Sequence, residues 1–358
     1  MNTEDNIRHR ARCLITSLIL LMLVPVCNRE VDTDSSGSRN PFHGKNLTCA
    51  IYLSNELTSG QGLETGYNYA LLKKFAEDNH CYVEILVKED EHYADSLETG
   101  GIDIYITRKG EIQKTDSISV SDLTDGLYVW GISDDAARKK VKYLNKWLRH
   151  ISQSKESTEL RERFRGSFNP FRLAEKEVTR DRVSPYDMIL KEKAKELNWD
   201  WRMLAAIVYQ ESRFSIKSES HKGAKGLMQL MPAVAEKYEL KDPVDPEQNI
   251  AAGVKVLAKI KSSWDNSGLS ETELINFTLA SYNAGDGRIK DCWNLAKAKG
   301  YDVTKWDEVK KVIPLMRDDS ILQEESVKLG KFQGHETIRY VNTVTDLYEA
   351  ICKIHPEK

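Results

Sequence analysis

The stretch from Glu211 to Pro232 (ESRFSIKSESHKGAKGLMQLMP) contains an acid whose position favours chemistry on a ligand. Leu204, Ile207 and Val208 precede Glu211 by seven, four and three positions, so the glutamate extends the apolar stripe of a helix. A carboxyl group in such a place loses solvation, which raises its pKa toward the range useful for donating a proton at neutral pH. The spacing therefore predicts an acid that acts in proton transfer.

The residues after this acid predict the wall of a cleft. Gly223 and Gly226 allow close approach of a backbone or a ligand. Gln229 is a single amide within the apolar run Leu227–Met231, which is typical of a pocket that also grips something polar. A structural interpretation stays open here, because most glutamates at helix ends are solvated and most apolar runs belong to a core.

The elements that must carry these residues are helical. Asp200 is an N-cap candidate for the helix that runs into Glu211. Ser184-Pro-Tyr-Asp predicts an earlier helix start, with Ser184 as the cap and a proline in the first turn, and that helix reaches Leu197. Helical patterns continue from there to Lys353.

Five motifs in this half of the chain resemble the soluble-lytic-transglycosylase domain family, in the family's order. They are Glu211–Phe214 (ESRF), Gly223–Pro232 (GAKGLMQLMP), Asn249–Gly253 (NIAAG), Ala280–Gly285 (ASYNAG) and Glu336–Val341 (ETIRYV). The resemblance implies a mainly α, lysozyme-like domain over residues 184–358 that needs no cofactor. It further implies cleavage of the MurNAc–GlcNAc β-1,4 bond of peptidoglycan without water, with Glu211 as single acid/base and 1,6-anhydroMurNAc product ends.

The same resemblance implies substrate-binding roles for seven residues: Ser220, Gln229, Met231, Tyr282, Asn283, Glu336 and Tyr340. Ser220 matches a serine that contacts the N-acetyl region. Tyr282 and Asn283 match a pair beside the acid that can hydrogen-bond its carboxyl group. For Glu336 and Tyr340, substrate contact and structural bracing of the cleft are both open.

Other polar residues of these motifs receive structural interpretations. Ser212 is interpreted as a helix-end hydroxyl, and Asn249 as part of a packed turn. Glu219 is interpreted as solvated, which leaves no second carboxylate in the position of a nucleophile. His221 and His335 have no partner pattern for a metal, so no metal site is predicted.

Two other functions remain open. One is a hydrolase of the goose-type lysozyme kind, which would use the same glutamate with water. The other is a non-catalytic peptidoglycan-binding or sensor lipoprotein whose function lies in the N-terminal part. The intact Glu211 and Gln229 favour an enzyme, since a binding protein has no need of a desolvated acid.

The N-terminus predicts export to the bacterial cell envelope. Arg8–Arg12 is basic, and the apolar run Cys13–Val26 is too short to span a bilayer comfortably. Cys27 closes that run and opens a polar tether over residues 28–44, so residues 1–27 resemble a lipoprotein signal in which Cys27 is acylated after cleavage and becomes the new N-terminus. We therefore expect a periplasm-facing lipoprotein of the outer membrane; a secreted form and an uncleaved anchor are the alternatives.

The charge and cysteine content of the chain indicate less about function than the motifs do. The chain has 358 residues with 52 Lys and Arg against 55 Asp and Glu, a balance that gives no reason to expect a nucleic-acid partner. Outside the leader, Cys49, Cys81, Cys292 and Cys352 match no zinc pattern. Two disulfides, Cys49 with Cys81 and Cys292 with Cys352, and four free buried thiols are equally consistent with the sequence.

Residues 45–166 predict a single α/β unit. Strands are expected at 47–53, 81–87, 102–107 and 126–131, and helices at 67–78, 93–99 and 134–152 with a helical tail to Phe164. Strands and helices alternate with short links up to Thr107, which implies a parallel sheet.

This unit resembles the first lobe of family-3 periplasmic solute-binding proteins. The resemblance lies in Glu64–Phe75 (ETGYNYALLKKF), Leu97–Ile104 (LETGGIDI) and Arg161–Phe164 (RERF). Those receptors insert a second lobe after the third strand, whereas here residues 108–125 have only the length of a loop, so the second lobe is missing. With a linker at 167–183, the whole chain is similar to the F type of membrane-bound lytic transglycosylases.

That organisation implies the partners. Glycan strands of peptidoglycan are expected at the helical domain, and stem peptides or a cell-wall protein at the N-terminal lobe. A lipid on Cys27 would add the membrane.

Overall fold

The computed structural model describes residues 40–53, 63–87, 92–133, 136–164, 168–176, 179 and 181–356. The predicted signal, Cys27 and most of the tether lie outside the described residues. The described part is mostly helical and contains one small sheet of five strands. No helix within these residues combines the length and the hydrophobicity needed to cross a membrane.

The sheet is mixed. Its strands are β1 (Asn46–Ile51), β2 (Tyr82–Leu86), β3 (Ile104–Arg108), β4 (Ile118–Val120) and β5 (Tyr128–Ser133), in the order β2-β1-β3-β5-β4. β1 pairs in parallel with β2 and β3, which confirms the predicted parallel set. β5 runs antiparallel to β3 and β4. β4 was not predicted, because a strand of three residues is too short to show a periodic pattern.

Four helices accompany the sheet: α1 (Glu64–Asn79), α2 (Tyr93–Glu98), α3 (Ala137–Ser152) and α4 (Lys155–Phe164). All four lie where helices were predicted. The stripe of α3 is buried as expected, and its Trp147 packs edge-to-face on Phe75 of α1 with ring centroids 5.0 Å apart. Phe75 also meets Trp130 of β5 edge-to-face, so aromatic packing holds α1 and α3 on the sheet.

The segment predicted as a linker contains a helix, α5 (Pro170–Glu175). Asn169 caps it by accepting a hydrogen bond of 3.2 Å from the backbone N–H of Arg172. A six-residue helix shows less than two turns of periodicity, which explains why the sequence did not reveal it. Leu173 of α5 is buried, so this segment packs on the fold.

The rest of the chain is helical. The helices are α6 (Asp187–Lys193), α7 (Trp201–Ser212), α8 (Pro232–Lys237), α9 (Pro246–Ser262), α10 (Glu271–Ala284), α11 (Asp286–Ala298), α12 (Trp306–Val309) and α13 (His335–Ile354), with 3₁₀ helices at Ala194–Leu197, Lys310–Arg317 and Ile321–Gln323.

The two predicted caps turned out differently. The Asp200 side chain accepts a hydrogen bond of 2.9 Å from the backbone N–H of Arg202, so the predicted N-cap of α7 is confirmed. The predicted cap at Ser184 is wrong, because residues 185 and 186 form a turn and α6 begins only at Asp187. Asp187 itself organises that turn: its carboxylate accepts hydrogen bonds from the backbone N–H groups of Val183 and Ser184 and from the Ser184 hydroxyl.

Residues 40–358 form one compact unit, in which the sheet and the helical part share a hydrophobic core. Polar contacts also join them. The Tyr69 hydroxyl of α1 lies 3.0 Å from the Asp242 carboxylate and 3.1 Å from that of Asp245. Lys73 lies 3.5 Å from Asp245, which also caps α9 by accepting from two backbone N–H groups. Helix α1 is thereby attached to the start of α9.

The disulfide alternative is wrong. Cys49, Cys81, Cys292 and Cys352 are not joined in disulfides. Three of them are buried, and burial raises the pKa of the Cys292 thiol to about 12. The three buried thiols, whose pKa values burial raises, therefore stay protonated and behave as small apolar side chains.

Candidate active site

Glu211 occupies the last turn of α7. Leu204, Ile207 and Val208 on the same stripe have no exposed surface, as the spacing predicted. The chain leaves the helix abruptly, since Arg213 and Phe214 both have positive φ values of 52° and 65°. Phe214 is fully buried, which holds this reversal in place and leaves the glutamate at the mouth of the loop that follows.

The environment of Glu211 suits a proton donor. Burial raises its pKa from 4.5 to about 7, and a hydrogen bond from the Tyr340 hydroxyl acts in the opposite direction by favouring the carboxylate. That hydroxyl lies 2.6 Å from Oε1 of Glu211. Near neutral pH the carboxyl group is therefore populated in both its acid and its base form, which general acid–base catalysis requires.

Tyr340 and Tyr282 lie close to the Glu211 carboxyl group. Burial raises the pKa of Tyr340 and of Tyr282 well above the ordinary value, and the charge of Glu211 raises both further. Both hydroxyls therefore remain donors. The hydrogen bond to the carboxyl group comes from Tyr340 and not from Tyr282, whose hydroxyl donates instead to the backbone carbonyl of Met228 at 2.8 Å. Tyr282 thus ties α10 to the glycine-containing loop, residues 213–231 between α7 and α8.

That loop is built around Asn249 of α9, which has no exposed surface. Its side-chain oxygen accepts a hydrogen bond of 2.8 Å from the backbone N–H of Met228. Its amide donates to the carbonyls of Lys225 and Pro243 at 3.2 and 2.8 Å. A Cβ atom at Gly226 would overlap the Pro243 carbonyl and the Asn249 amide. Only glycine fits at that position, where φ is also +76°.

Gln229 projects from the same loop. Its backbone is left-handed with a φ of 47°, and its side-chain amide donates to the carbonyls of Ser218 and Gly226 at 2.9 and 3.1 Å. Both amide hydrogens are used internally, so the side-chain oxygen is the atom with which Gln229 can meet a ligand. The next predicted residue, Met231, is 40% exposed where α8 begins.

The remaining predicted residues contact the scaffold. The Ser220 hydroxyl accepts a hydrogen bond of 3.0 Å from the backbone N–H of Ala224 within the loop. Asn283 is exposed and accepts one of 2.8 Å from Thr337. Glu336 is exposed in the first turn of α13. The structure therefore brings Tyr340 and Tyr282 to Glu211, while the other side chains stand on the loop, on α10 or on α13.

Two residues that organise the site were not recognised as such from the sequence, since Thr337 received no role and Asn249 only a general one in packing. Thr337 is buried and connects α13 to Asn283 of α10. It lies within the ETIRYV motif, so its signal was present. Asn249 was assigned to packing in general, and its three hydrogen bonds to the loop could not be read from a sequence. The predicted helix-end role of Ser212 agrees with its hydroxyl, which donates to the Val208 carbonyl at 3.0 Å.

No second carboxyl group influences this centre within the described residues. The pKa of Glu211 is shifted by burial and Tyr340, and those of the two tyrosines by burial, by Glu211 and, for Tyr340, by Tyr282. The same part of the chain contains no group of three His, Cys, Asp or Glu side chains that could hold a metal ion. The raised pKa of Glu211 suits this carboxyl group to proton transfer.

Replacing Tyr340 by phenylalanine should change the pH dependence of the reaction. The change removes the hydrogen bond that favours the carboxylate, so the pKa of Glu211 should rise above about 7. The alkaline limb of the pH–rate profile should then move upward by about one pH unit, given the strength of a hydrogen bond to a charged group.

The matched control is Tyr282→Phe, which removes a hydroxyl bonded to the Met228 carbonyl rather than to the acid. Initial rates across pH for both variants distinguish the two tyrosines. An alkaline limb that stays in place in Tyr340→Phe would show that this hydroxyl does not set the pKa of Glu211.

A comparison with models of protein families finds a match that includes Glu211 and the loop beside it. Residues 188–304 match the family model of the Transglycosylase SLT domain. That range contains Glu211, the loop and Tyr282, whereas Tyr340 lies beyond it.

Among curated proteins the chain resembles membrane-bound lytic murein transglycosylase F. It is 37% identical over 170 residues to the protein of that name from Desulfosudis oleivorans, which is 48% of this chain and 37% of that protein. It is 28% identical over 329 residues to the one from Stutzerimonas stutzeri, which is 88% of this chain and 65% of the relative. The chain thus spans less than two thirds of the length of these relatives.

A solved structure with some similarity is an inactive mutant of the lytic transglycosylase Slt from Pseudomonas aeruginosa. The sequences are 21% identical, and the match covers 61% of this chain and 29% of that one with a TM-score of 0.34.

Proposed function

We propose that this protein is a peptidoglycan lytic transglycosylase, a lyase that cleaves the MurNAc–GlcNAc β-1,4 bond without water. The observation that carries the proposal is Glu211, a carboxyl group with a pKa raised by burial to about 7 and hydrogen-bonded by Tyr340. It stands beside a loop that requires glycine at position 226 and is held by the Asn249 side chain. The match to the SLT domain and the names of the relatives support the same reaction.

The reaction uses Glu211 twice. In its protonated form it donates a proton to the glycosidic oxygen, the bond from C1 of MurNAc to that oxygen breaks, and the GlcNAc hydroxyl leaves. The positive charge that develops at C1 is stabilised by the N-acetyl group of the same sugar. The Glu211 carboxylate then takes the proton of the C6 hydroxyl, whose oxygen attacks C1 and closes the 1,6-anhydro ring. Glu211 ends protonated, ready for another cycle.

One carboxyl group suffices because the substrate supplies the nucleophile. Most glycosidases need a second carboxylate to activate water or to attack C1. Here Tyr340 holds Glu211, and its hydrogen bond favours the carboxylate that must remove the second proton. Around them we assign substrate contacts to Ser220, Gln229, Met231, Tyr282, Asn283 and Glu336.

A direct test is the digestion of purified sacculi. The full chain should release soluble muropeptides that carry 1,6-anhydroMurNAc ends, detected by mass spectrometry. Reducing MurNAc ends would favour the goose-type lysozyme alternative. Absence of digestion, with retained binding to sacculi, would favour the non-catalytic binding protein.

We further propose that residues 45–166 form a single lobe like that of solute-binding proteins, joined through residues 167–183 to a lysozyme-like domain over residues 184–358. A cavity of about 500 Å³ lies between the carboxyl ends of β1 and β2 and the glycine-containing loop. It is lined by Ile51, Tyr52, Leu53, Thr65 and Val87 on one side and by Lys217, Glu219, Ser220, His221 and Lys225 on the other. The carboxyl ends of parallel strands are a common ligand site. Ser220 lines this cavity and also belongs to the loop beside Glu211, so it connects the cavity to the proposed substrate cleft.

Any ligand of this cavity should be a stem peptide or a segment of a cell-wall protein rather than a free amino acid. Without a second lobe, a small ligand loses the enclosure that covers most of its surface in a closing receptor. Calorimetry of the purified protein with free amino acids and with muropeptides tests this prediction. Submicromolar binding of a free amino acid would contradict it.

We also propose that the protein is exported and carries a lipid on Cys27 in the bacterial envelope, consistent with relatives named membrane-bound. Mass spectrometry of protein purified from membranes should find an acylated N-terminal Cys27. An unmodified residue, or a chain that still begins at Met1, would exclude the lipoprotein.

A further inference from the structure

Helix α3 (ARKKVKYLNKWLRHIS) carries six cationic residues and no acidic one, although the whole chain has slightly more acids than bases. Its apolar stripe is buried against the sheet, so the charges gather on the opposite side. The exposed members are Arg138, Lys139, Lys142, Lys146 and Arg149, which we call the basic face. From Arg138 to Arg149 this face extends roughly 16 Å along the helix.

The charge of the basic face is largely uncompensated. Arg149 forms an ion pair of 3.3 Å with Asp122, but the side chains are 67% and 56% exposed, so the pair is weakly held. The other four cations have no acidic side chain within ion-pair distance in the described part of the chain. A groove of about 470 Å³ lies between α3 and the edge strand β4. It adds the cation of Lys114 to this surface, together with the polar side chains of Ser119, Asp122 and Asn145.

The first described residues of the chain, Asn40 to Phe42, enter the folded unit close to α3. Phe42 is fully buried and packs on Tyr143 of α3, with ring centroids 6.0 Å apart. Two residues earlier, the Asn40 amide donates to the Asn79 side-chain oxygen at 3.1 Å. The polypeptide therefore joins the fold beside α3. From Cys27 to Asn40, an extended chain reaches at most roughly 45 Å.

We propose that the basic face of α3 docks on an anionic phospholipid membrane. A row of cations on one side of a helix complements the negative surface potential of such a membrane. Because Asn40 is fixed beside α3, a lipid on Cys27 and the basic face would act on the same membrane.

The test uses residues 40–358, which include the whole shared core and omit the proposed lipid site. Sedimentation is measured with vesicles of phosphatidylethanolamine alone and with added phosphatidylglycerol. The variant replaces the four unpaired cations of the basic face by glutamine: Arg138→Gln, Lys139→Gln, Lys142→Gln and Lys146→Gln. The control makes the same change in charge on exposed lysines of three other helical segments: Lys195→Gln, Lys255→Gln, Lys259→Gln and Lys353→Gln.

The protein should bind the vesicles that contain phosphatidylglycerol, and binding should weaken as salt is added. The basic-face variant should bind at least about a hundredfold more weakly, since each cation near an anionic surface contributes roughly a factor of five. The control should bind like the unmodified protein, and all three should unfold at similar temperatures. Sacculus digestion should be unchanged in both variants, so failure of the membrane proposal leaves the proposed function untouched.

Three outcomes would overturn the proposal. The unmodified protein does not bind anionic vesicles, or the control loses binding as strongly as the variant, or the variant binds normally. A separate pull-down with insoluble sacculi, which are also anionic, distinguishes the competing partner. Loss of sacculus retention with vesicle binding unchanged would assign the basic face to peptidoglycan instead.

Discussion

Glu211→Gln is expected to abolish the digestion of sacculi, with a loss of at least ~10²–10⁴ in rate. The amide keeps the shape of the side chain and can still accept the hydrogen bond from Tyr340, but it can neither donate a proton to the glycosidic oxygen nor remove one from the C6 hydroxyl. Release of soluble muropeptides, measured at several pH values, provides the comparison. Activity within a few-fold of the unmodified protein would exclude Glu211 as the acid/base.

Loss of activity in this variant should not come from loss of the fold. Burial raises the pKa of Glu211 from 4.5 to about 7, so the folded protein binds the proton more tightly than the unfolded chain does. Stability contributed by the neutral carboxyl group is therefore complete below about pH 4.5 and is lost as the pH rises through about 7. Above that pH the ionised carboxyl group costs about 3 kcal/mol of stability, and Glu211→Gln removes this cost.

Thermal unfolding across pH checks that expectation. The glutamine variant should be more stable than the unmodified protein at pH 8, and the difference should disappear near pH 4. A variant that is less stable at pH 8 would show that the carboxyl group is not desolvated in the way described.

Gly226→Ala is expected to damage both stability and activity. The added methyl group would overlap the Pro243 carbonyl and the Asn249 amide, in a backbone conformation with φ of +76° that alanine disfavours. Overpacking and backbone strain together should cost about 3 kcal/mol or more. The loop should shift away from Asn249, taking Gln229 with it, and the rate of digestion should fall by about tenfold or more.

Gly223→Ala is the matched control in the same loop. It has a similar φ of +81°, but the nearest atom to an added Cβ is a side-chain carbon of Pro232 at 3.7 Å. Only the backbone term applies, so the cost should be about 1–2 kcal/mol. Melting temperatures and digestion rates of the two variants are compared. The loss in Gly223→Ala measures the backbone strain, and the additional loss in Gly226→Ala measures the steric overlap with Pro243 and Asn249. Equal losses would show that contact with Asn249 and Pro243 does not shape the loop.

Local features of the site were predictable because they depend on neighbours in the sequence. The stripe that ends in Glu211 and the cap at Asp200 follow from helical spacing and from side-chain chemistry within one or two turns. The parallel arrangement of β1, β2 and β3 follows from alternating strands and helices with short connections. In each case the residues that decide the structure lie close together in the chain.

Contacts between distant residues were not predictable in the same way. Tyr340 donates to Glu211 across 129 positions, and nothing in either segment shows that this tyrosine, rather than Tyr282, reaches the acid. The cysteines carried no spatial information either, so the disulfide alternative could be rejected only with coordinates. Likewise α5 and β4 have six and three residues, too few for a periodic signal to outweigh the turns around them.

The central claim is that one carboxyl group cleaves the glycan with the substrate's own hydroxyl as nucleophile. Digestion of purified sacculi in water enriched in oxygen-18, followed by mass spectrometry of the muropeptides, tests it most directly. We predict 1,6-anhydroMurNAc ends that carry no heavy oxygen, because no water enters the bond that forms at C1. Reducing MurNAc ends with one heavy oxygen each would contradict the claim and assign the protein to hydrolysis.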